Sequence, residues 1–364
     1  MQLAPRDGQS LTPISLLTGF LGSGKTTLLG RLLRHPGMAE TAVIINEFGE
    51  VGLDHHLVAA ARGEPVLLDG GCLCCAVQDD LVLALIDLAE RRRQGSVPPF
   101  GRVVIETSGL ADPAPILHKL MSDRSLAELY CLDGVVATVD AVNGARQLDA
   151  QEEAVKQAAV ADRLVLTKAD LAAGPAAAAL RERLRRLNPG APILAAAQGA
   201  IDPALLFGAG LYDPASRAPD VRRWLREEEV RDAAAQDHAS HDHAHGHDHD
   251  HGHAGAGRRH DDRIGAHCFI VEEPFEWDGL RDWVRGLLRE RGEDILRVKA
   301  IVQIRGEPGP VAIHGVQHVF HDPVPLAAWP DPADRRSKLV FITRDIGRDF
   351  IAASLAGIGR PDAA

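Results

Sequence analysis

The chain has 364 residues, 40 Lys and Arg against 51 Asp and Glu, and a formal net charge of -11. That length suggests two domains, or three, and suffices for a hydrophobic core without staples. The acidity argues against a nucleic-acid binder, and five Cys, three of them within four residues, are no secreted disulfide framework. No run approaches the ~18 apolar residues of a membrane span, and MQLAPRDGQS lacks the apolar core of a signal peptide, so a cytoplasmic protein without a membrane partner is expected.

After a short tail (1–12), residues 13–215 alternate short apolar runs with helical patterns. Strands are predicted at Pro13–Thr18, Thr41–Asn46, Val66–Leu68, Arg102–Glu106, Gly134–Asp140, Arg163–Thr167 and Pro192–Ala195. Helices are predicted at Thr26–Arg34 and at Gln78–Arg93, where Leu81, Leu85, Leu88 and Ala89 share a face. Several strands are unbroken Val/Ile/Leu stretches, as in strands buried on both faces, so an α/β domain with a mainly parallel sheet is expected. Residues 216–263 read as a linker. Its segment 238–260 holds nine of the 17 His and no Leu, Ile, Val or aromatic residue, so it is expected to be disordered. Residues 264–358 read as a smaller α+β domain: strands at Ala266–Val271, Ile295–Ile304 and Lys338–Thr343, a helix carrying Trp277, Leu280, Trp283, Val284, Leu287 and Leu288, a turn at Gly306–Pro310 and a last helix near Arg348–Ala356. Residues 359–364 form a tail.

Gly19-Phe-Leu-Gly-Ser-Gly-Lys25-Thr26 is a complete G-x-x-x-x-G-K-[ST] phosphate loop between a predicted strand and helix. Gly19, Gly22 and Gly24 let backbone N–H groups turn toward phosphates, and the helix start adds its positive dipole end. Lys25 supplies charge to the β- and γ-phosphates and Thr26 a hydroxyl for Mg²⁺; Ser23 and Thr27 complete the nucleotide-binding set. Glu106 ends an apolar strand at the sheet edge where α/β proteins bind ligands, and is the expected second Mg²⁺ carboxylate. Gly109 follows as a switch for the γ-phosphate. Thr167-Lys168-Ala169-Asp170 is similar to the N-K-x-D element of GTPases, with Thr in place of Asn. An Asp there accepts from guanine N1–H and its amine together, which favours GTP over ATP.

Gly70-Gly71-Cys72-Leu73-Cys74-Cys75 offers soft thiolates suited to Zn²⁺ or a comparable ion. Adjacent Cys74 and Cys75 project differently, so a further ligand is expected from Glu47, His55, His56 or His118. Cys131 and Cys268 read as core residues. In the linker, His241, His243, His245, His247, His249, His251 and His253 alternate with Asp, Gly or Ala, a pattern for weak metal buffering or for an inert tether.

Together GFLGSGKTTLL (19–29), INEFGE (45–50), GGCLCC (70–75), VIETSGLADP (104–113), TKAD (167–170) and the stretch 296–321 resemble the CobW family of P-loop GTPases, relatives of the urease and hydrogenase maturation GTPases. The resemblance implies a metallochaperone that hydrolyses GTP to GDP and phosphate, slowly and under metal or client control. It would bind zinc, or cobalt, and hand it to a client metalloprotein. It also implies the metal thiolates at Cys72, Cys74 and Cys75, the switch acid at Glu47, the magnesium and hydrolysis carboxylate at Glu106, and a nucleotide-dependent homodimer. A cobalt-insertion protein of cobalamin synthesis and a His-based metal store are the alternatives.

Overall fold

The computed structural model describes residues 11–46, 56–59, 65–68, 79–172, 174–208, 263–320, 323–326, 328–329 and 332–358. The first part runs β1 (Thr12–Gly19), α1 (Lys25–Leu32), β2 (Thr41–Asn46), β3 (His56–Ala59), β4 (Pro65–Leu68), α2 (Asp79–Gln94), β5 (Arg102–Thr107), α3 (Pro113–Ser122), α4 (Arg124–Ala127), β6 (Tyr130–Asp140), α5 (Gly144–Ala150), α6 (Glu152–Val160), β7 (Arg163–Thr167), α7 (Pro175–Leu187) and β8 (Ile193–Ala195). Among the described residues its strands form one eight-stranded sheet in the order β4-β3-β2-β5-β1-β6-β7-β8. The six from β2 to β8 are parallel, and β3 and β4 extend the sheet antiparallel at the β2 side.

The unbroken apolar runs are strands covered on both faces. Leu16, Ile105, Ala137 and Leu164 pack with Leu85, Leu117, Val155 and Leu184 of α2, α3, α6 and α7. Their neighbours Leu17, Val104, Val136 and Val165 pack with Leu28, Leu29 and Leu32 of α1 on the opposite face. Leu81, Leu85, Leu88 and Ala89 are all buried, as the spacing of α2 predicts. The strand expected from Gly134 begins earlier, at Tyr130: Tyr130, Cys131 and Leu132 already pair with Thr12, Pro13 and Ile14, and the register then slips past Asp133 between Ile14 and Ser15. The Asp133 carboxylate accepts from Ser15 Oγ at 2.7 Å and from the Gly208 N–H at 2.9 Å, which offsets placing a charge inside a strand.

The second part runs β9 (Ile264–Val271), α8 (Trp277–Arg291), β10 (Ile295–Val302), β11 (Val311–Val316), β12 (Val319–Phe320), β13 (Val324–Pro325), β14 (Ser337–Arg344) and α9 (Arg348–Leu355). Its antiparallel sheet has the order β12-β11-β10-β14-β9, with β13 beside β11. Phe269, Val298, Leu339 and Phe341 face Leu280, Leu287 and Ile351 of α8 and α9, with Trp283 edge-on to Phe341 at 6.1 Å. Ala266, Cys268, Leu296, Ile301, Val340 and Ile342 face the other way and join the core of the first part. Cys268 is buried and Cys131 half-buried.

The seam between the parts carries charge. Asp162, just before β7, meets Arg297 Nη2 at 2.5 Å and Lys299 Nζ at 2.7 Å, both from β10, and accepts from the Val135 N–H. Arg297 also donates to the Val160 carbonyl at the end of α6. Burial raises the Asp162 pKa, but Arg297, Lys299 and His314 outweigh it and hold the carboxyl far below its ordinary range. Among the described residues no helix is long and apolar enough to cross a membrane.

Candidate functional site

The β1–α1 turn stands at the carboxyl edge of the parallel strands. Gly19, at φ 140°, is obligatory: a Cβ there would meet Thr138 Oγ1 at 2.2 Å. Gly22 and Gly24 complete the turn in the left-handed region, and buried Ser23 shares a 2.6 Å hydrogen bond with Thr138. Lys25 is buried and its ammonium donates to the Gly19 carbonyl at 2.9 Å, so its charge lies within the loop. Thr26 and Thr27 are exposed at the helix start.

Thr26 Oγ1 donates to Glu106 Oε1 at 2.6 Å across 80 residues of sequence. The parallel β1–β5 pairing, with Leu17 opposite Glu106, brings the two together. A hydroxyl and a carboxylate at the mouth of a phosphate loop are the hard oxygen donors that Mg²⁺ takes, so these residues fit that ion. Beyond Glu106, Gly109 lies against the loop itself: a Cβ on it would sit 2.7 Å from the Leu21 nitrogen.

On the far side, β7 delivers Thr167 and Lys168. Thr167 Oγ1 donates to the Ser23 carbonyl at 2.5 Å, so the Thr that stands where GTPases carry Asn still ties this element to the phosphate loop. Lys168, at φ 54°, reaches the Gly22 carbonyl at 2.9 Å and Asp140 at 2.6 Å. Asp170 is exposed and accepts from the Gln198 N–H at 3.2 Å, leaving it facing outward beside the loop after β8.

Two contributors escaped the reading of the sequence. Asp140, at the end of β6, is buried and anchors Lys168 while capping the Val142 and Asn143 N–H groups. Burial raises its pKa, but the Lys168 and Asn143 bonds prevail and lower it. Its signal was legible: an acid ending an apolar strand, as Glu106 is. Gln157 of α6 is buried and donates to the carbonyls of Gly109 and Ala111 at 3.2 and 3.0 Å. It stands out in EEAVKQAAV as a polar residue among Ala154, Val155, Ala158 and Ala159, all buried.

The remaining expected metal ligands do not assemble within the described residues. Glu47, His55, Cys72, Cys74, Cys75 and the histidines His241 to His253 lie outside them. His56 is placed only as the first residue of β3, and His118 is exposed on α3. Among the described residues no group of three or more His, Cys, Asp or Glu is arranged to hold a metal ion.

Residues 13–195 match the family described as CobW/HypB/UreG, nucleotide-binding domain, and residues 264–358 match the Cobalamin synthesis protein cobW C-terminal domain. The chain belongs to the CobW family. The two matched stretches carry the parallel sheet and the antiparallel one, so the resemblance drawn from the motifs holds for fold and family alike. The zinc chaperone YjiA of Escherichia coli (strain K12) is 34% identical over 348 residues, 95% of this chain and 98% of that one. The zinc-regulated GTPase metalloprotein activator 1 of Schizosaccharomyces pombe is 34% identical over 197 residues, 52% of this chain and 47% of that one. The crystal structure of Zn(II)-bound YjiA GTPase from E. coli superposes with a TM-score of 0.66 at 31% identity, covering 97% of this chain and all of that one. As a CobW-family protein the chain carries that family's nucleotide-binding domain at residues 13–195.

Proposed function

We propose that this protein is a GTP-driven zinc metallochaperone that takes its metal at Cys72, Cys74 and Cys75 and passes it to a client metalloprotein. The observation that supports it best is the Thr26–Glu106 pair closing an intact phosphate loop, in a chain similar along nearly its whole length to a zinc chaperone. The loop N–H groups and Lys25 hold the phosphates, Thr26 and Glu106 hold Mg²⁺, and Lys168 with Asp170 receives guanine. Mg²⁺, when bound, neutralises charge on the β- and γ-phosphates. Hydrolysis of GTP to GDP and phosphate is slow and answers to metal or client. Gly109, packed on the phosphate loop, distinguishes GTP from GDP by touching the γ-phosphate.

The thiolates stand between INEFGE and the Glu106 strand in the chain, so Glu47 and the His55–His56 pair are nearby candidates for the fourth ligand, with His118 as the more distant one. Zn²⁺ is the cargo, with Co²⁺ an alternative of similar ligand preference. Residues 238–260 concentrate loose zinc around the tight site, and a nucleotide-dependent homodimer completes the active site. The nine His of that segment also favour a second reading, a metal store whose nucleotide site is incidental.

Three variants decide between these readings, with metal content and nucleotide affinity measured under reducing conditions. Lys25→Ala should abolish tight GTP binding and leave Cys-dependent zinc measurable; Cys74→Ser should remove the tight zinc and spare GTP. Deleting residues 238–260 should leave one tight zinc. Loss of all tight zinc on that deletion, or metal-stimulated hydrolysis in both point variants, contradicts the carrier.

A further inference from the structure

Gln157 lies on α6, away from every motif, yet its side-chain amide reaches the loop that follows Glu106. It is 1% exposed, and its Nε2 spans the Gly109 and Ala111 carbonyls at 3.2 and 3.0 Å. Its Oε1 accepts no hydrogen bond among the described residues. A buried amide kept only for stability would be paired at both ends, since an unsatisfied buried acceptor is costly. Among the described residues only the donor end is used, and both of its bonds fall on the three-residue segment 109–111. Two forces therefore fix Gly109: α6 holds its carbonyl, and the phosphate loop lies close enough that no Cβ fits between them. Fixing that carbonyl fixes the plane of the Gly109–Leu110 peptide, and the Ala111 carbonyl fixes the next turn of the same loop. Lys156, the neighbour of Gln157, adds an ion pair to Asp112 at 3.2 Å and so pins the far end of the same segment.

We propose that Gln157 is a positioning residue for γ-phosphate recognition, holding the Gly109–Ala111 segment in the geometry that lets the protein prefer GTP to GDP. This rests on the reading of Gly109 as the γ-phosphate sensor. The test is a pair of affinity measurements, with Mg²⁺ and either GDP or a non-hydrolysable GTP analogue, on wild type, Gln157→Met and Gly109→Ala. Met keeps the length of Gln and removes the donor. For Gln157→Met the analogue should weaken about tenfold, the worth of one to two net hydrogen bonds, while GDP stays within about twofold. Equal weakening for both nucleotides marks a merely structural role and overturns the proposal, as does no change for either. Gly109→Ala should lose the preference for the analogue. If it does and Gln157→Met does not, the sensor reading stands and Gln157 has no part in it; if Gly109→Ala keeps the preference, the sensor reading falls and takes the proposal with it. If Gln157→Met does not fold, the Gln157 side-chain amide resonances of the wild-type protein serve instead. They should exchange slowly and shift between the GDP and analogue forms, and identical resonances in the two forms overturn the proposal.

Discussion

At the scale of single residues, the site depends on groups whose partners are far away in sequence. Thr26 and Glu106 share one hydrogen bond, so the carboxylate is held at the phosphate loop before any ion arrives. Glu106→Gln removes the charge that the proposal gives to Mg²⁺, so it should slow hydrolysis about 100-fold and raise the Mg²⁺ concentration that hydrolysis needs; single-turnover kinetics at several Mg²⁺ concentrations separate the two effects. Asp140 acts one step back, through Lys168. Asp140→Asn keeps the acceptor that caps Val142 and Asn143 but turns the charged anchor of Lys168 into a neutral one. GTP and GDP affinities should then fall together, by about tenfold, and Lys168→Met should make the Asp140 substitution nearly silent. Additive losses would mean that Asp140 acts on the nucleotide by another route. The phosphate loop and Glu106 could be read from spacing alone because their chemistry demands contiguous or strand-end residues. Asp140 and Gln157 could not be assigned roles, because nothing in a linear chain says which loop a strand-end acid or a helix amide will meet.

At the scale of elements, period and composition identified the strands that are buried on both faces. β1, β2, β5 and β7 are continuous apolar runs, and each stands where that pattern placed it to within a residue or so. β3 went unseen: HLVA is four residues long and begins at the second residue of a His pair, and its strand character comes from antiparallel pairing between β2 and β4 rather than from its own pattern. β11 was missed for a related reason, since VAIHGV carries His314 and Gly315 inside a run that the second sheet buries. α6 is the element on which most depends. Its Val155 and Ala158 pack under the parallel sheet, Gln157 holds the Gly109 segment, and its last carbonyl receives Arg297 from β10. Leu117→Ala in neighbouring α3, fully buried in the same core, should cost about 3 kcal/mol and lower the thermal midpoint without altering nucleotide selectivity. A change in the GTP-to-GDP preference on that substitution would show that the helices of this face are not independent supports.

At the scale of the whole molecule, the two sheets are parts of one packed body. The second sheet is covered on one face by α8 and α9 and on the other by the helices of the first part. Asp162, Arg297 and Lys299 lie inside that seam. Asp162→Ala should cost about 3–5 kcal/mol because two buried cations lose their counter-charge. The pH dependence follows from the same group: its folded pKa lies below the ordinary 3.8, so the unfolded chain binds more protons in acid. The stability it contributes is fully present above about pH 4 and is lost as pH falls through the depressed value. Denaturant titrations of wild type and Asp162→Asn between about pH 1.5 and 7 should therefore show a constant gap above about pH 5 that narrows as pH falls below about 4, and a gap that stays constant to the acid end would remove Asp162 as the cause. In a GTP-driven carrier, nucleotide and metal act on each other. Zinc titrations under reducing conditions, with and without a non-hydrolysable GTP analogue and Mg²⁺, test it most directly. The analogue should tighten zinc binding by about tenfold or more, zinc should tighten the analogue by the same factor, and Cys74→Ser should abolish both effects. Equal zinc affinity with and without the analogue would contradict it.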